Sequence, residues 1–307
     1  MYDTPDFRTE FKILKPELLH AMPKVILGDA GDAAYLKARI RELGDDTVAY
    51  YECTVPLDAA DAAIAAADSS PFPVGIILDL GDQPAPLDRL HTPGDLSCVT
   101  SDAHTARVLR ENLIAYDFTG PLEQQIHAGA TRITHGIELF DDFCVTDGDL
   151  KPGQLSAWVL DRRIPVLTNP FDDLDSGDID DLSDHPLPLM HKLGFNAASA
   201  LLSSDRMNEL VEHFDYSIED LYALTMTAVS ASYLPEPARI QLIESTISPF
   251  FASLSDDDNG GAEDLAEDTE DIKDLEKVRK ESSILSEPPL ELIAEMGIDL
   301  KDLGLNE

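Results

Sequence analysis

Residues 129–136 read Gly-Ala-Thr-Arg-Ile-Thr-His-Gly, a short β-rich run that ends in a histidine and a glycine. Such a run predicts a strand that passes into a loop, with His135 at the end of the strand. In a barrel of parallel strands, this rim carries the active-site side chains. His135 is therefore the first candidate for a catalytic residue. A histidine at a strand end also serves as a structural hydrogen-bonding group, and this alternative stays open.

Similar β-rich runs recur on both sides of this segment, at residues 24–27, 47–55, 74–80, 132–135, 164–168 and 195–202. Ala- and Leu-rich helical stretches separate several of these runs, at residues 33–43, 59–67, 105–116 and 155–162. Alternation of this kind predicts βα units and a parallel sheet. Residues 1–254 can just contain a closed eight-stranded barrel, which typically needs about 250 residues.

The region from Met207 to Phe251 has a helical pattern throughout. Ser217 and Asp220 resemble the two ends of a capping box, and Pro235 is placed to begin a further helix. The sequence therefore predicts an α/β domain at residues 1–254 that ends in helices.

Residues 255–307 differ in character, with 18 acidic and 5 basic residues. Their low aromatic and β-branched content predicts a largely disordered acidic tail. Leu290, Ile293 and Met296 share a helical spacing, so a short helix at residues 289–303 is the alternative. A tail of this charge would suit a protein partner, although such runs more often only increase solubility.

The whole chain carries 60 Asp and Glu against 22 Lys and Arg, a net charge of −38. This charge repels phosphate and anionic lipid, which argues against a nucleic-acid or membrane partner. The N-terminal residues lack the basic and apolar regions of a signal peptide. Cys53, Cys98 and Cys144 match no metal or redox motif. Together these features predict a cytoplasmic protein.

Common chemical motifs are missing from the chain, among them GxGxxG, GxxxxGK[ST], GxSxG, HExxH and CxxC. Their absence argues against dinucleotide-binding and P-loop proteins. The aspartate-rich run at residues 172–178 lacks the glutamate that closes a calcium loop, and it reads as a solvated acidic loop. The histidines show no i, i+2 or i, i+4 spacing typical of a metal site.

Several segments, taken in order, resemble the adenosine deaminases, zinc-dependent members of the amidohydrolase superfamily. Residues 129–139 resemble GAxRIGHGIRL, and residues 22–25 resemble the start of LPKxELHxHLxG. Residues 164–170 fall where the family has IPLEVCPxSN, residues 185–195 resemble HPxxxLLxxGxxV, and residues 207–236 resemble the family's closing helical segment, in a form common in actinobacterial members. The resemblance covers residues 120–250 and implies a TIM-type (β/α) barrel. The short interval from Pro23 to His135 implies that this barrel is trimmed in its first half.

The resemblance also assigns site residues, and here the chain departs from the family. His135 matches the histidine that orients the attacking water beside zinc. The two histidines of HxH, however, are replaced by Gly28 and Ala30, and the glutamate of HAGE has no counterpart. Asp205 matches the last metal ligand if a site persists. The chain is therefore expected to hold no metal.

Three functions follow from these observations. The first is a purine-nucleoside-binding or regulatory pseudoenzyme that has lost zinc-dependent hydrolysis. The second is an active deaminase of adenosine or a related aminopurine nucleoside, with zinc held by a rearranged set drawn from His104, His127, His135, His185 and Asp205. The third is a structural or interaction protein without a small-molecule site.

Overall fold

The computed structural model describes residues 14–90, 96–146 and 149–255. The predicted acidic tail and its helix at residues 289–303 lie outside the described residues. Five parallel strands form the main sheet in chain order. They are β1 (Lys24–Ala30), β2 (Val48–Pro56), β3 (Val74–Gly81), β4 (Ser97–Thr100) and β5 (Tyr116–Phe118). Most residues of β1 to β3 are apolar, as is usual for parallel strands that are covered on both faces.

Four shorter strands follow in the second half of the described chain. They are β6 (Cys144–Thr146), β7 (Asp149–Lys151), β8 (Val166–Thr168) and β9 (Ala197–Ser199). The first two form an antiparallel hairpin, and β8 pairs in parallel with β9.

Backbone contacts continue the parallel order from β5 to β8 through a two-residue segment. Arg132 bridges Asp117 of β5, and Ile133 bridges Val166 of β8, both in parallel. Beyond β9, the Leu201 amide donates to the Leu27 carbonyl of β1 at 2.8 Å. The strands therefore follow one another in a ring, which confirms the predicted α/β fold with a parallel, curled sheet. The three longest strands, β1 to β3, lie in the first half of the chain, which is the half of the barrel that the resemblance predicts to be trimmed.

Helices connect and cover these strands. They are α1 (Pro16–Ala21), α2 (Ala33–Glu42), α3 (Ala60–Asp68), α4 (Leu87–Leu90), α5 (Ala103–Glu111), α6 (Leu122–Ala128), α7 (Gln154–Arg162), α8 (Pro170–Ser176), α9 (Leu187–Leu193), α10 (Ser204–Phe214), α11 (Ile218–Ala231), α12 (Glu236–Leu242) and α13 (Ser248–Ala252). The predicted capping box is confirmed, because the Ser217 and Asp220 side chains each accept from the other's backbone amide.

The hydrophobic core lies on both sides of the main sheet. Tyr51, Cys53 and Val55 alternate along β2 and pack in one cluster with Leu36 of α2 and Ala63 of α3. Since side chains alternate between faces along a strand, this cluster is the helix-covered outer face. A second cluster joins residues of β1, β8, β9, α10 and α11. This second cluster thus joins the first and last strands of the ring to the helices α10 and α11.

Two expectations from the sequence are corrected. The aspartate-rich run is not a solvated loop, because its first part forms α8 and Asp173 is only 6% exposed. The helix expected at residues 105–116 ends at Glu111, and Tyr116 begins β5 instead. Within the described residues, no helix combines the length and apolar character needed to cross a lipid bilayer.

Candidate functional site

His135 lies where the segment Arg132–Ile133 ends, at the carboxyl end of the ring of strands. Its backbone is left-handed, with φ of 54°, and its side chain is exposed. A 3₁₀ turn begins at the next residue, Gly136. A Cβ on Gly136 would lie 2.5 Å from Cγ1 of Val166, so only glycine fits there. The His-Gly pair therefore turns the chain sharply out of the strand and leaves the imidazole at the rim.

Gln125 of α6 holds the residue that precedes His135. Its Nε2 donates to the Thr134 carbonyl at 2.9 Å, and its Oε1 accepts from the Thr134 amide at 2.9 Å. The Nε2 group also donates to the Gly120 carbonyl at 2.9 Å. Gln125 is fully buried. One side-chain amide thus substitutes for a neighbouring strand and fixes the point from which His135 projects.

A cavity of about 230 Å³ opens beside His135. Its lining consists of His135, Ile137, Glu138, Asp141, Asp173 and Asp178. Four of these six side chains are carboxylates, and no Lys or Arg is among them. This volume is smaller than that of typical small-molecule pockets, which is about 300–1,000 Å³. We call this space the rim cavity.

Two lining carboxylates are held in place by neighbouring groups. Glu138 Oε2 accepts from the Leu122 amide at 2.7 Å. Asp173 Oδ2 lies 3.0 Å from Nε2 of His185 and 3.4 Å from Oγ1 of Thr168. His185 is buried, and its Nδ1 accepts from the Leu187 amide at 3.0 Å. The proton of the ring therefore lies on Nε2, which donates toward Asp173 and Thr168.

A buried charge network lies three residues before His135. Arg132 contacts Glu52 Oε2 at 2.9 Å and Asp117 Oδ2 at 2.7 Å, and it donates to the Ala231 carbonyl at 2.9 Å. The Tyr233 hydroxyl donates to Asp117 at 2.6 Å. Burial alone would lower the pKa of Arg132, but Asp117 and the other negative partners raise it. The network joins β2, β5 and the chain after α11, and its role is to hold the ring together.

The remaining candidate ligands do not gather around His135. His104 on α5 and His127 on α6 are exposed. Asp205 lies in the first turn of α10, in a pocket with Pro16 and His20, at the amino ends of β1 and β2. His185 reaches the rim cavity only through Asp173.

The positions that match the HxH histidines do not fit a zinc ion. Gly28 has φ of +78°, and a Cβ built on it would lie 3.0 Å from Cβ of Ala200 and 3.1 Å from Cδ2 of Leu167. The pairing of β1 with β2 shifts in register around this glycine. Ala30 supplies only a methyl group. Among the described residues, no three His, Cys, Asp or Glu side chains converge as metal ligands.

Sequence reasoning missed Gln125, Asp173 and the partners of Arg132. Arg132 stands out in its motif as a charged residue inside a β-rich run, which is a signal for a buried ion pair. Gln125 and Asp173 carry no such signal, because polar residues in short helices are usually exposed.

No protein-family model matches the chain. Curated relatives match part of it. Adenosine deaminase 1 of Streptomyces coelicolor is 33% identical over 135 residues, which cover 41% of this chain and 34% of that protein. Adenosine deaminase of Mycobacterium sp. strain KMS is 34% identical over 136 residues, which cover 41% of this chain and 38% of that protein. The chain thus matches little more than a third of the length of these relatives.

Solved structures share the fold over most of the described chain. An adenine deaminase from Arthrobacter aurescens aligns with a TM-score of 0.57 and 16% identity, covering 72% of this chain and 79% of that one. A zinc-bound amidohydrolase from Burkholderia ambifaria aligns with a TM-score of 0.62 and 14% identity, covering 82% of this chain and 97% of that one. The N6-methyl-AMP deaminase of Arabidopsis thaliana aligns with a TM-score of 0.59 and 12% identity, covering 78% of this chain and 99% of that one.

These structural likenesses establish the fold alone, an α/β architecture with a parallel, curled sheet. The sequence identity to curated relatives is more specific. Over 41% of its length this chain is similar in sequence to adenosine deaminases, of which it spans little more than a third.

Proposed function

We propose that this protein is a purine-nucleoside-binding pseudoenzyme with a shortened barrel, which acts by binding or regulation and not by zinc-dependent hydrolysis. The observation that carries this proposal is the backbone of Gly28. Its φ of +78° is strained for any residue with a side chain, and a Cβ there would lie 3.0 Å from Cβ of Ala200 and 3.1 Å from Cδ2 of Leu167, so the backbone favours glycine where the resemblance places a histidine ligand. Ala30 has no donor atom at the second position.

Without a metal, the retained His135 supplies too little chemistry for deamination. A bound zinc ion lowers the pKa of its water from 15.7 to about 7. A single imidazole that acts as general base contributes about 10²–10⁴-fold, whereas enzymes commonly supply 10⁶-fold or more. His135 is therefore assigned to ligand binding at the rim cavity.

The ligand class rests on the relatives and on the cavity. Arabidopsis structures with GMP and with IMP are among the structural neighbours, so the fold accommodates purine compounds in those proteins. At about 230 Å³, the rim cavity can enclose part of a nucleoside, with the rest at the open rim.

The experiment combines metal analysis, an activity assay and binding. Purified protein is expected to contain no stoichiometric zinc and to leave the ultraviolet band of adenosine unchanged after zinc is added. Purine nucleosides at 100 times their Kd should stabilise the fold by about 2.7 kcal/mol. His135→Ala should weaken this stabilisation, and His127→Ala, on the exposed face of α6, should leave it intact.

The alternative is an active metal-dependent deaminase, which the names of the curated relatives favour. Stoichiometric zinc together with loss of the adenosine band would establish it and refute the pseudoenzyme. If no purine nucleoside shifts the unfolding transition and no deamination occurs, the third function, an interaction protein without a small-molecule site, would replace both.

A further inference from the structure

A groove of about 480 Å³ lies between α11 and α12, and it shares no lining residue with the rim cavity. We call it the helix groove. Tyr222, Met226 and Val229 form its wall on α11, and Ile240 forms part of its wall on α12. The three α11 residues are four and three positions apart, so they make one continuous apolar stripe along the helix. The volume falls within the range of about 300–1,000 Å³ that is usual for small-molecule sites.

An irregular helical turn borders the helix groove. Ile243 lines the groove and begins a π-helical turn, Ile243–Ile247, between α12 and α13. Turns of this kind are rare, and they frequently lie at functional sites. Ile240, one turn earlier, is 41% exposed, so part of the apolar wall is open to solvent. An apolar ligand that covers this wall removes it from water, which is favourable.

Two hydrogen-bond donors meet where α11 ends and α12 begins. Arg239 Nη1 donates to the Ser230 carbonyl at 3.3 Å, which brings the guanidinium to Ser230. The Ser230 hydroxyl accepts from Nδ2 of Asn196 at 3.0 Å. Within the described chain, no hydrogen bond uses the proton of that hydroxyl. Arg239 and Ser230 both line the groove, so it has a polar end with donors available to a ligand.

The charge of Arg239 is also available, although the chain contains 60 Asp and Glu. Other described arginines, such as Arg39, Arg107 and Arg132, pair with carboxylates. No ion pair between described residues includes Arg239. Glu236 lines the same groove but is exposed. An anionic group of a ligand therefore meets a cation that no described carboxylate neutralises.

The surroundings restrict the ligand to a small molecule with one negative charge. A net charge of −38 repels an acidic protein or a polyanion. A single carboxylate, in contrast, can accept from the Arg239 guanidinium and from the Ser230 hydroxyl. A second negative charge would meet Glu236. The apolar stripe of α11 suits an aliphatic chain.

We propose that the helix groove binds a free aliphatic monocarboxylate, with its carboxylate at Arg239 and Ser230 and its chain along the stripe of α11. This site is separate from the proposed nucleoside function and does not depend on it.

The test measures binding of hexanoate, octanoate and 1-octanol to the whole chain by isothermal titration calorimetry. Octanoate should bind about 15-fold more tightly than hexanoate, because each of its two additional methylenes contributes about fourfold when it is buried. Octanol has the same chain without the charge. It should bind at least about tenfold more weakly than octanoate, since it loses hydrogen bonds to a charged group.

Three variants test the polar end of the groove. Arg239→Gln should reduce the octanoate affinity at least about tenfold and leave that of octanol unchanged. Arg41→Gln removes the same charge at an exposed position of α2 and should change neither affinity. Glu236→Gln removes the opposing carboxylate and should strengthen octanoate binding about twofold. Urea unfolding of each variant checks that the fold is kept, and if Arg239→Gln does not fold, the three ligands on the unaltered chain decide.

The proposal fails if octanoate does not bind, or if octanoate and octanol bind with equal affinity. It also fails if folded Arg239→Gln binds octanoate as tightly as the original chain. None of these results affects the proposed nucleoside function, which the purine nucleosides test on their own.

Discussion

Gln125 pairs its side-chain amide with both backbone groups of Thr134, the residue immediately before His135. A helix side chain thereby completes the hydrogen bonding of a strand end, where regular pairing is limited to isolated bridges. The position of the imidazole depends on a residue ten positions earlier in the chain.

Replacement of Gln125 by Leu is expected to destabilise the fold, because it leaves the partly buried amide and carbonyl of Thr134 without partners. Each such group costs about 1–3 kcal/mol, so a loss of about 2 kcal/mol or more is expected in urea unfolding. Gln124→Leu, next to it and exposed, should have little effect. Equal stability of the two variants would contradict the role of Gln125.

Gly28→Ala is expected to lower the free energy of unfolding by about 1 kcal/mol or more, because φ is +78° and Ala200 lies close to the added methyl group. Gly44→Ala is the control, since nothing lies within 4 Å of a Cβ at that position. The double variant with histidine at positions 28 and 30 should unfold more easily and gain no stoichiometric zinc. Tight zinc binding by that variant would show that the backbone of β1 does accept the ligand pair.

Arg132→Met should be among the most destabilising substitutions, since it leaves Glu52 and Asp117 buried without their cation. Removal of one partner of a buried pair typically costs about 3–5 kcal/mol. Conversion of both carboxylates to amides in the same variant should recover part of the loss. We would measure soluble yield and the urea midpoint. If Arg132→Met alone is as stable as the original chain, the network has no structural role.

Lys24 predicts a pH effect on stability. Its side chain is buried and donates to the carbonyls of Leu19, His20 and Met22, and desolvation lowers its pKa from 10.5 to about 8 despite the nearby Asp46. Between these two values the unfolded chain binds a proton that the folded chain has lost. The contribution of Lys24 to the unfolding free energy should therefore rise with pH across this window.

The measurement is urea unfolding from pH 7.5 to 10.5. Lys24→Met should be less stable overall but should lack this component of the pH slope, while Lys37→Met, at an exposed position of α2, should retain it. Identical slopes in all three proteins would mean that Lys24 does not titrate in this range.

Local patterns in the sequence were sufficient for the parts of the fold that depend on neighbours in the chain. The apolar run of β1 and the capping box of Ser217 and Asp220 are examples, because their interactions span only a few residues. The position of His135 after a strand follows in the same way.

What could not be predicted depends on contacts between distant segments. β5 is only three residues long and begins where a helical pattern still continues. Asp173 appears in the sequence as one of several surface aspartates, and only the packing of His185 against it buries it. The conformation of Gly28 likewise depends on Ala200, more than 170 positions away.

The hydrogen bond from Leu201 to Leu27 joins the last strand region to the first. In the described part of the chain, no other backbone hydrogen bond connects β1 with residues 197–203, so the ring of strands is held at this junction by one backbone hydrogen bond. Hydrogen exchange at the Leu201 amide would then measure how often the ring opens at this junction. New chain ends for a circular permutant should not be placed between Leu201 and α10. A break there would free the residue that donates this hydrogen bond to Leu27.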